Sequence, residues 1–259
     1  MSIKTTLIRA ALAATVSTLC VPFASAHVNY TGKDFGTLSN LVPQSLTISN
    51  ILVETNSGWA DGTDDDFANA HHVSWFRFNL ADITTLTITA TGTTNGTDQL
   101  PGLLPGFSIY SGLAHLTGGP DYDTNPTTIA YLQTLGGTQP KEGAFRALNT
   151  WQMGNLAGSM STFTFMDYAV DGTSANFGNV PGIVGDGLAN GTVTRTFTLG
   201  PGDYSIVVAG ADVVNETAND YGVSVNVTTV PEPASVAILS LGMAAVCASR
   251  RRRNSQYGA

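Results

Sequence analysis

The stretch Tyr221 to Thr228 alternates apolar with small or polar residues without a break. Tyr221, Val223, Val225 and Val227 fall on one face, and Gly222, Ser224, Asn226 and Thr228 on the other. Period two is the mark of a strand with one face buried in a sheet. The alternation recurs upstream, and no long stretch carries apolar residues at helical spacing. In Thr84–Thr91, Leu86, Ile88 and Ala90 face in while Thr85, Thr87 and Thr89 face out. In Val73–Leu80, Phe76, Phe78 and Leu80 share one face and Trp75, Arg77 and Asn79 the other. Phe76 and Phe78 read as core. Trp75 reads as core in preference to a platform for a sugar ring, and Trp59 and Trp151 are open in the same way.

Further strand candidates are Ser45–Glu54, Gly106–Ser111, Ile129–Thr134, Met160–Ala169, Val193–Leu199 and Tyr204–Ala209. The last two flank Gly200-Pro201-Gly202. Proline fixes φ at the first central position of a type II turn and glycine supplies the positive φ of the second, which predicts an antiparallel hairpin. Residues 143–156 lean to a short helix through their Ala and Leu content. Gly-, Asn-, Thr- and Pro-rich stretches at 92–105, 116–127 and 170–191 read as loops. About nine short strands separated by turn signals predict an all-β chain folded as an antiparallel β-sandwich, jelly-roll-like, without a fixed-period repeat.

The two ends carry addresses. Lys4 and Arg9 precede an apolar run from Ala10 to Phe23, and Ala24-Ser25-Ala26 is a small-residue cleavage site. This reads as a secretory signal peptide over residues 1–26. A lipoprotein signal at Cys20 is disfavoured, because Leu19 stands where a small residue is wanted. At the other end come Val230-Pro231-Glu232-Pro233, the uncharged segment Ala234–Ser249, and Arg250, Arg251, Arg252 and Arg253. Pro231 and Pro233 end the sheet before them. Sixteen residues as a helix rise about 24 Å, slightly short of a hydrocarbon core of roughly 30 Å. The arginines then hold the end on the cytoplasmic side. This tripartite tail resembles the PEP-CTERM sorting signal of Gram-negative bacteria, with residues 234–249 as its transmembrane helix. The resemblance implies that an exosortase-type membrane transpeptidase cleaves near the motif and releases or re-anchors the protein at the cell surface.

The body is then a single domain over residues 27–229, large enough for a real core. Both cysteines, Cys20 and Cys247, lie in the address segments, so no disulfide staples it. It holds five basic residues against eighteen acidic ones, a net charge of −13. That sign repels nucleic acid and anionic lipid, and favours cations.

Two constellations bear on chemistry. Asp61, Asp64, Asp65 and Asp66 crowd a Gly-containing loop. They read either as a solvated acidic loop or as oxygen donors for calcium, with Asp121, Asp123, Asp212, Glu216 and Asp220 available on other loops. The spacing does not match an EF-hand. His27 becomes the N-terminus after cleavage at Ala26, and an amine with an imidazole can chelate copper, as in lytic polysaccharide monooxygenases. His71 and His72 are the candidate partners, though adjacent residues on a strand point to opposite faces. His115 reads as surface. No G-x-S-x-G elbow, zinc-hydrolase spacing or phosphate-cradling glycine loop is present.

The sequence therefore reads as an exported, surface-sorted, non-catalytic protein of the envelope or extracellular matrix. Exopolysaccharide is the partner that the sorting family implies, and among cofactors calcium is favoured over the copper reading. The rival reading is a secreted metal-dependent enzyme acting on polysaccharide.

Overall fold

The structure, a computed structural model, describes residues 28–60, 67–94, 99–116, 126–136, 143–155, 157–178, 180 and 182–230. Its strands are β1 (Asp34–Leu38), β2 (Ser45–Val53), β3 (Phe67–Asn69), β4 (Ser74–Leu80), β5 (Thr84–Thr93), β6 (Pro105–Ser111), β7 (Ala144–Arg146), β8 (Trp151–Gly154), β9 (Met160–Val170), β10 (Thr192–Leu199), β11 (Gly202–Gly210) and β12 (Tyr221–Val230). Two short helices, α1 (Pro126–Thr134) and α2 (Ser174–Phe177), and a 3-10 turn at Ala70–His72 complete it.

A first sheet runs β1-β4-β11-β6-β9-β8 and a second runs β10-β5-β12-β2. The pairs are antiparallel except β1 with β4, and β3 with β7 form a separate ribbon. From β4 to β6 and from β9 to β12 the chain passes back and forth between the two sheets. This is the all-β, jelly-roll-like sandwich that the alternation predicts.

The main core lies between the sheets. Phe76, Phe78, Phe107, Ile109, Ile206 and Val208 of the first sheet meet Leu86, Ile88, Val193, Phe197, Val223, Val225 and Val227 of the second. A second core covers the outer face of the first sheet, where Trp59, Trp75, Tyr110, Phe145, Trp151, Phe163 and Val207 pack together. β11 is thus buried on both faces, which explains its unbroken apolar run Ile206-Val207-Val208-Ala209. Trp59 lies so close over β6 that a Cβ on Gly106 would stand 2.6 Å from its ring.

Three local expectations fail. Val193–Leu199 and Tyr204–Ala209 are strands, but they do not pair. β10 pairs β5 in one sheet, and β11 pairs β4 and β6 in the other. The Gly200-Pro201-Gly202 connection is an arch between the sheets, with Gly202 at φ +146°. Phe197 meets Phe107 edge-on across the interior, with ring centroids 6.2 Å apart. Ile129–Thr134 belongs to α1, not to a strand. Thr128 and Leu132, four residues apart, are its buried residues, and Pro126 suits the first helical position. Residues 143–156 hold β7 and β8 instead of a helix, because Phe145, Trp151 and Met153 alternate into the second core.

The expected transmembrane helix, residues 234–249, lies outside the described residues. Among the described residues no helix is long and apolar enough to cross a membrane.

Candidate functional site

Val230 is the last residue of β12. It pairs with Thr85 and is exposed, so the sandwich ends where the sorting segment begins. Pro231, Glu232, Pro233 and Arg250 to Arg253 lie outside the described residues, as do His27, Asp61, Asp64, Asp65, Asp66, Asp121 and Asp123. The flanks of the acidic loop are well anchored. Trp59 and Phe67 are both buried, Trp59 Nε1 donates to Ser108 Oγ at 2.9 Å, and the Arg146 guanidinium stands 4.9 Å over the Phe67 ring.

His71 and His72 sit on the 3-10 turn, capped by Asn69, whose Oδ1 accepts from the His71 backbone N–H at 3.0 Å. The two side chains meet different neighbours. His71 lies 3.0 Å from Asn69 Oδ1 through Nδ1 and packs against Gly143, while His72 packs against Gly58. Among the described residues no three His, Cys, Asp or Glu side chains are grouped to hold a metal ion. Asp212 instead accepts from Asn215 within its own loop. His115 is exposed, its backbone N–H bound to Ser161 Oγ at 2.8 Å.

Burial pushes the His72 imidazole below its ordinary value of 6.5, and His71 adds to the shift while Glu54 and Glu216 oppose it. The unfolded chain then binds more protons than the folded one as pH falls through 6.5 toward the folded value. The His72 contribution to stability then falls with acidification across that window. Melting measured between about pH 7 and pH 5 is expected to show this loss, and His72→Gln is expected to flatten the slope. Equal slopes in the two proteins would remove His72 as the cause.

Asp171, wholly buried, organises the turn into β10. Its carboxylate accepts from the backbone N–H groups of Asn190 at 2.9 Å and Gly191 at 2.5 Å. Burial raises its pKa and those bonds pull the other way. The turn it holds, with Ala189 at φ +50°, forms one wall of a cleft of about 600 Å³. Thr91, Thr93, Thr94, Asn190 and Thr192 line it over Leu103 and Leu104, and among the described residues no charged side chain lines it.

The cleft opens at the end of a hydroxyl lattice on the outer face of the second sheet. Thr85, Thr87, Thr89 and Thr91 of β5 stand opposite Thr198, Thr196, Thr194 and Thr192 of β10. Their hydroxyls pair at 2.9, 2.8, 2.9 and 3.3 Å. Ser224, Asn226 and Thr228 of β12 continue the rows, and Ser45 and Thr47 of β2 close two of them. Each hydroxyl has one donor and two lone pairs, so a pair that shares one bond still offers a donor and several acceptors to a ligand. Alternate threonines in both strands are visible in the sequence; their alignment into rows is not, because it depends on which strands pair. Trp75 plays no part in a ligand face, being 1% exposed within the second core.

The tail is a recognised address. Residues 229–253 match the family model described as the PEP-CTERM protein-sorting motif, so the chain carries an export and cell-surface sorting signal of that class. No curated protein matches the chain. Among solved structures it is similar to CorA, a surface-associated copper-binding protein of Methylomicrobium album BG8, at 16% identity and a TM-score of 0.46, over 79% of this chain and 99% of that one. It is also similar to MopE, a secreted copper-binding protein of Methylococcus capsulatus, at 15% identity and a TM-score of 0.43, over 78% and 87% of the two chains. A pre-peptidase C-terminal domain of a Bacillus anthracis collagenase follows at 9% identity and 0.29, over 77% and 98%. Likenesses this distant carry no conclusion about a ligand of this chain.

Proposed function

We propose that this chain is a non-catalytic β-sandwich of the cell envelope or extracellular matrix, sorted to the surface by its tail and binding exopolysaccharide through the hydroxyl face of its second sheet. An exosortase-type transpeptidase removes the residues beyond about Pro233. The observation that carries the reading is the sorting motif placed directly after the last strand. The lattice of Thr, Ser and Asn supports the choice of ligand. It presents polar, uncharged groups in rows, which suit the hydroxyls of a sugar polymer, whereas the body's net charge would repel a polyanion.

The test uses protein recovered from the surface fraction of its native host. Its intact mass is expected to lack the arginine tail, and it is expected to cosediment with the host's purified exopolysaccharide. Replacing Thr87, Thr89, Thr194 and Thr196 together with valine keeps the β-branched shape and removes the hydroxyls. That variant is expected to melt as the parent does and to lose most of its cosedimentation. A full-length chain with Arg250 to Arg253 in the surface fraction, or undiminished binding by the valine variant, would overturn the proposal.

A further inference from the structure

The end of the sandwich from which the sorting tail leaves carries four exposed apolar side chains. Leu41 is 82% exposed, Ile83 64%, Val42 60% and Val230 43%. Hydrogen bonds tie these positions into one patch. The Thr229 hydroxyl donates to the Val42 carbonyl at 3.2 Å, and the Gln44 backbone N–H donates to the Thr229 hydroxyl at 2.9 Å. Asn40 Nδ2 donates to the Ile83 carbonyl at 2.9 Å. The loop Asn40–Gln44, the turn before β5 and the last residue of β12 therefore share one rim. Side chains this apolar and this exposed, gathered in one place, mark a contact surface.

The length of the chain beyond the rim names the occupant. Only Pro231, Glu232 and Pro233 separate Val230 from the uncharged apolar segment that starts at Ala234. Four residue steps reach at most about 14 Å when fully extended, and a bilayer's headgroup layer is itself roughly 5–8 Å deep on each side. A sixteen-residue helix is also some 6 Å short of the hydrocarbon core, which draws its outer end inward. With the tail in the membrane the rim is held within about 10 Å of the headgroup surface even when the linker is fully extended, close enough to settle on it.

We infer that Leu41, Val42, Ile83 and Val230 form a membrane-contact apron that seats the sandwich on the outer face of the bilayer while the tail is attached. The inference rests on the reading that the tail enters the membrane before processing. Apolar side chains at the headgroup boundary bury their surface in the acyl region. Asp82 beside them is already engaged: its carboxylate accepts from Ser39 Oγ at 2.6 Å, the Asn40 backbone N–H at 3.0 Å and Thr84 Oγ1 at 2.7 Å. Those bonds hold its pKa down and keep it ionised, so the rim carries a negative charge beside its apolar side chains and gains nothing from anionic lipid. The apron also holds the Val-Pro-Glu-Pro segment at the height where a membrane-embedded transpeptidase works.

The test places single cysteines in the full chain, with Cys20 and Cys247 replaced by serine, and labels them with an environment-sensitive fluorophore. Leu41→Cys and Ile83→Cys probe the rim. Val184→Cys is the control, 76% exposed and bonded through its backbone to Tyr168 near the opposite end of the sandwich. The protein is reconstituted in vesicles of phosphatidylethanolamine and phosphatidylglycerol with brominated acyl chains. Quenching at Leu41 and Ile83 is expected to be several-fold stronger than at Val184. A chain that sediments with the vesicles but is quenched equally at all three positions would overturn the apron and leave the anchoring reading intact. A chain that does not sediment with the vesicles would overturn both.

Discussion

Trp75→Ala is expected to destabilise the protein by about 3–5 kcal/mol, the range for truncating a fully buried large aromatic. The indole is 1% exposed and sits at the middle of the second core. Its ring centroid lies 5.4 Å from Phe163, 5.5 Å from Phe145, 5.8 Å from Trp151 and 6.3 Å from Tyr110. Those residues come from β6, β7, β8 and β9, so the cavity would open where the excursion from residue 143 to 154 is stapled to the first sheet. Collapse into the cavity is hindered, because the neighbours are rings already packed on one another; Trp151 and Phe163 stack at 4.6 Å. Trp75→Phe separates volume from polarity. The Trp75 Nε1 hydrogen is buried without a hydrogen-bond partner among the described residues, a standing cost that phenylalanine removes. Its loss is therefore expected to be the smaller of the two by at least about 2 kcal/mol. Chemical denaturation of both variants checks this. A Trp75→Ala protein as stable as the parent would show that the second core contributes little to folding.

The sandwich was legible because its strongest signals are local. Tyr221–Thr228 alternates cleanly and becomes β12, a central strand of the second sheet, and Thr84–Thr91 becomes β5 beside it. Trp75 was legible as core from its place in an aromatic strand, but not which core. A strand buried on both faces carries apolar residues at both parities, and the covering layer comes from residues 143–154, which local composition assigned to a helix. The Gly-Pro-Gly arch failed for a related reason. Val193, Phe197 and Leu199 show the same alternation whether they lie beside Tyr204, Ile206 and Val208 in one sheet or face them across the interior. Only the non-local pairing of β10 with β5 and of β11 with β4 decides. The hydroxyl lattice depends on that same pairing, so its threonines could be seen singly but not as rows. The apron needed both the exposure of Leu41 and Ile83 and their bonding to the strand end at Val230.

Val225→Asp is expected to unfold the protein at neutral pH. Val225 is fully buried at the centre of the second sheet, opposite Ala90 of β5 and Ile48 of β2. Its side chain faces the main core, where Leu86, Ile88, Ile206 and Val208 are apolar. An ionised carboxylate there would have no partner, and its burial costs several kcal/mol against a total stability of about 5–15 kcal/mol. The pH dependence tests the cause. Desolvation raises the carboxyl pKa in the folded state above its unfolded value of about 3.9. Between those two values the folded state binds more protons than the unfolded one, so stability falls as pH rises. The variant is thus expected to be least damaged below about pH 4 and to lose stability steadily above it, until the buried group ionises or the chain unfolds. Val225→Thr, near in shape and never charged, is expected to cost about 1–3 kcal/mol with no such slope. Urea midpoints measured at several pH values distinguish the outcomes. A Val225→Asp protein with the parent's midpoint at neutral pH would mean that this strand is not the centre of the fold.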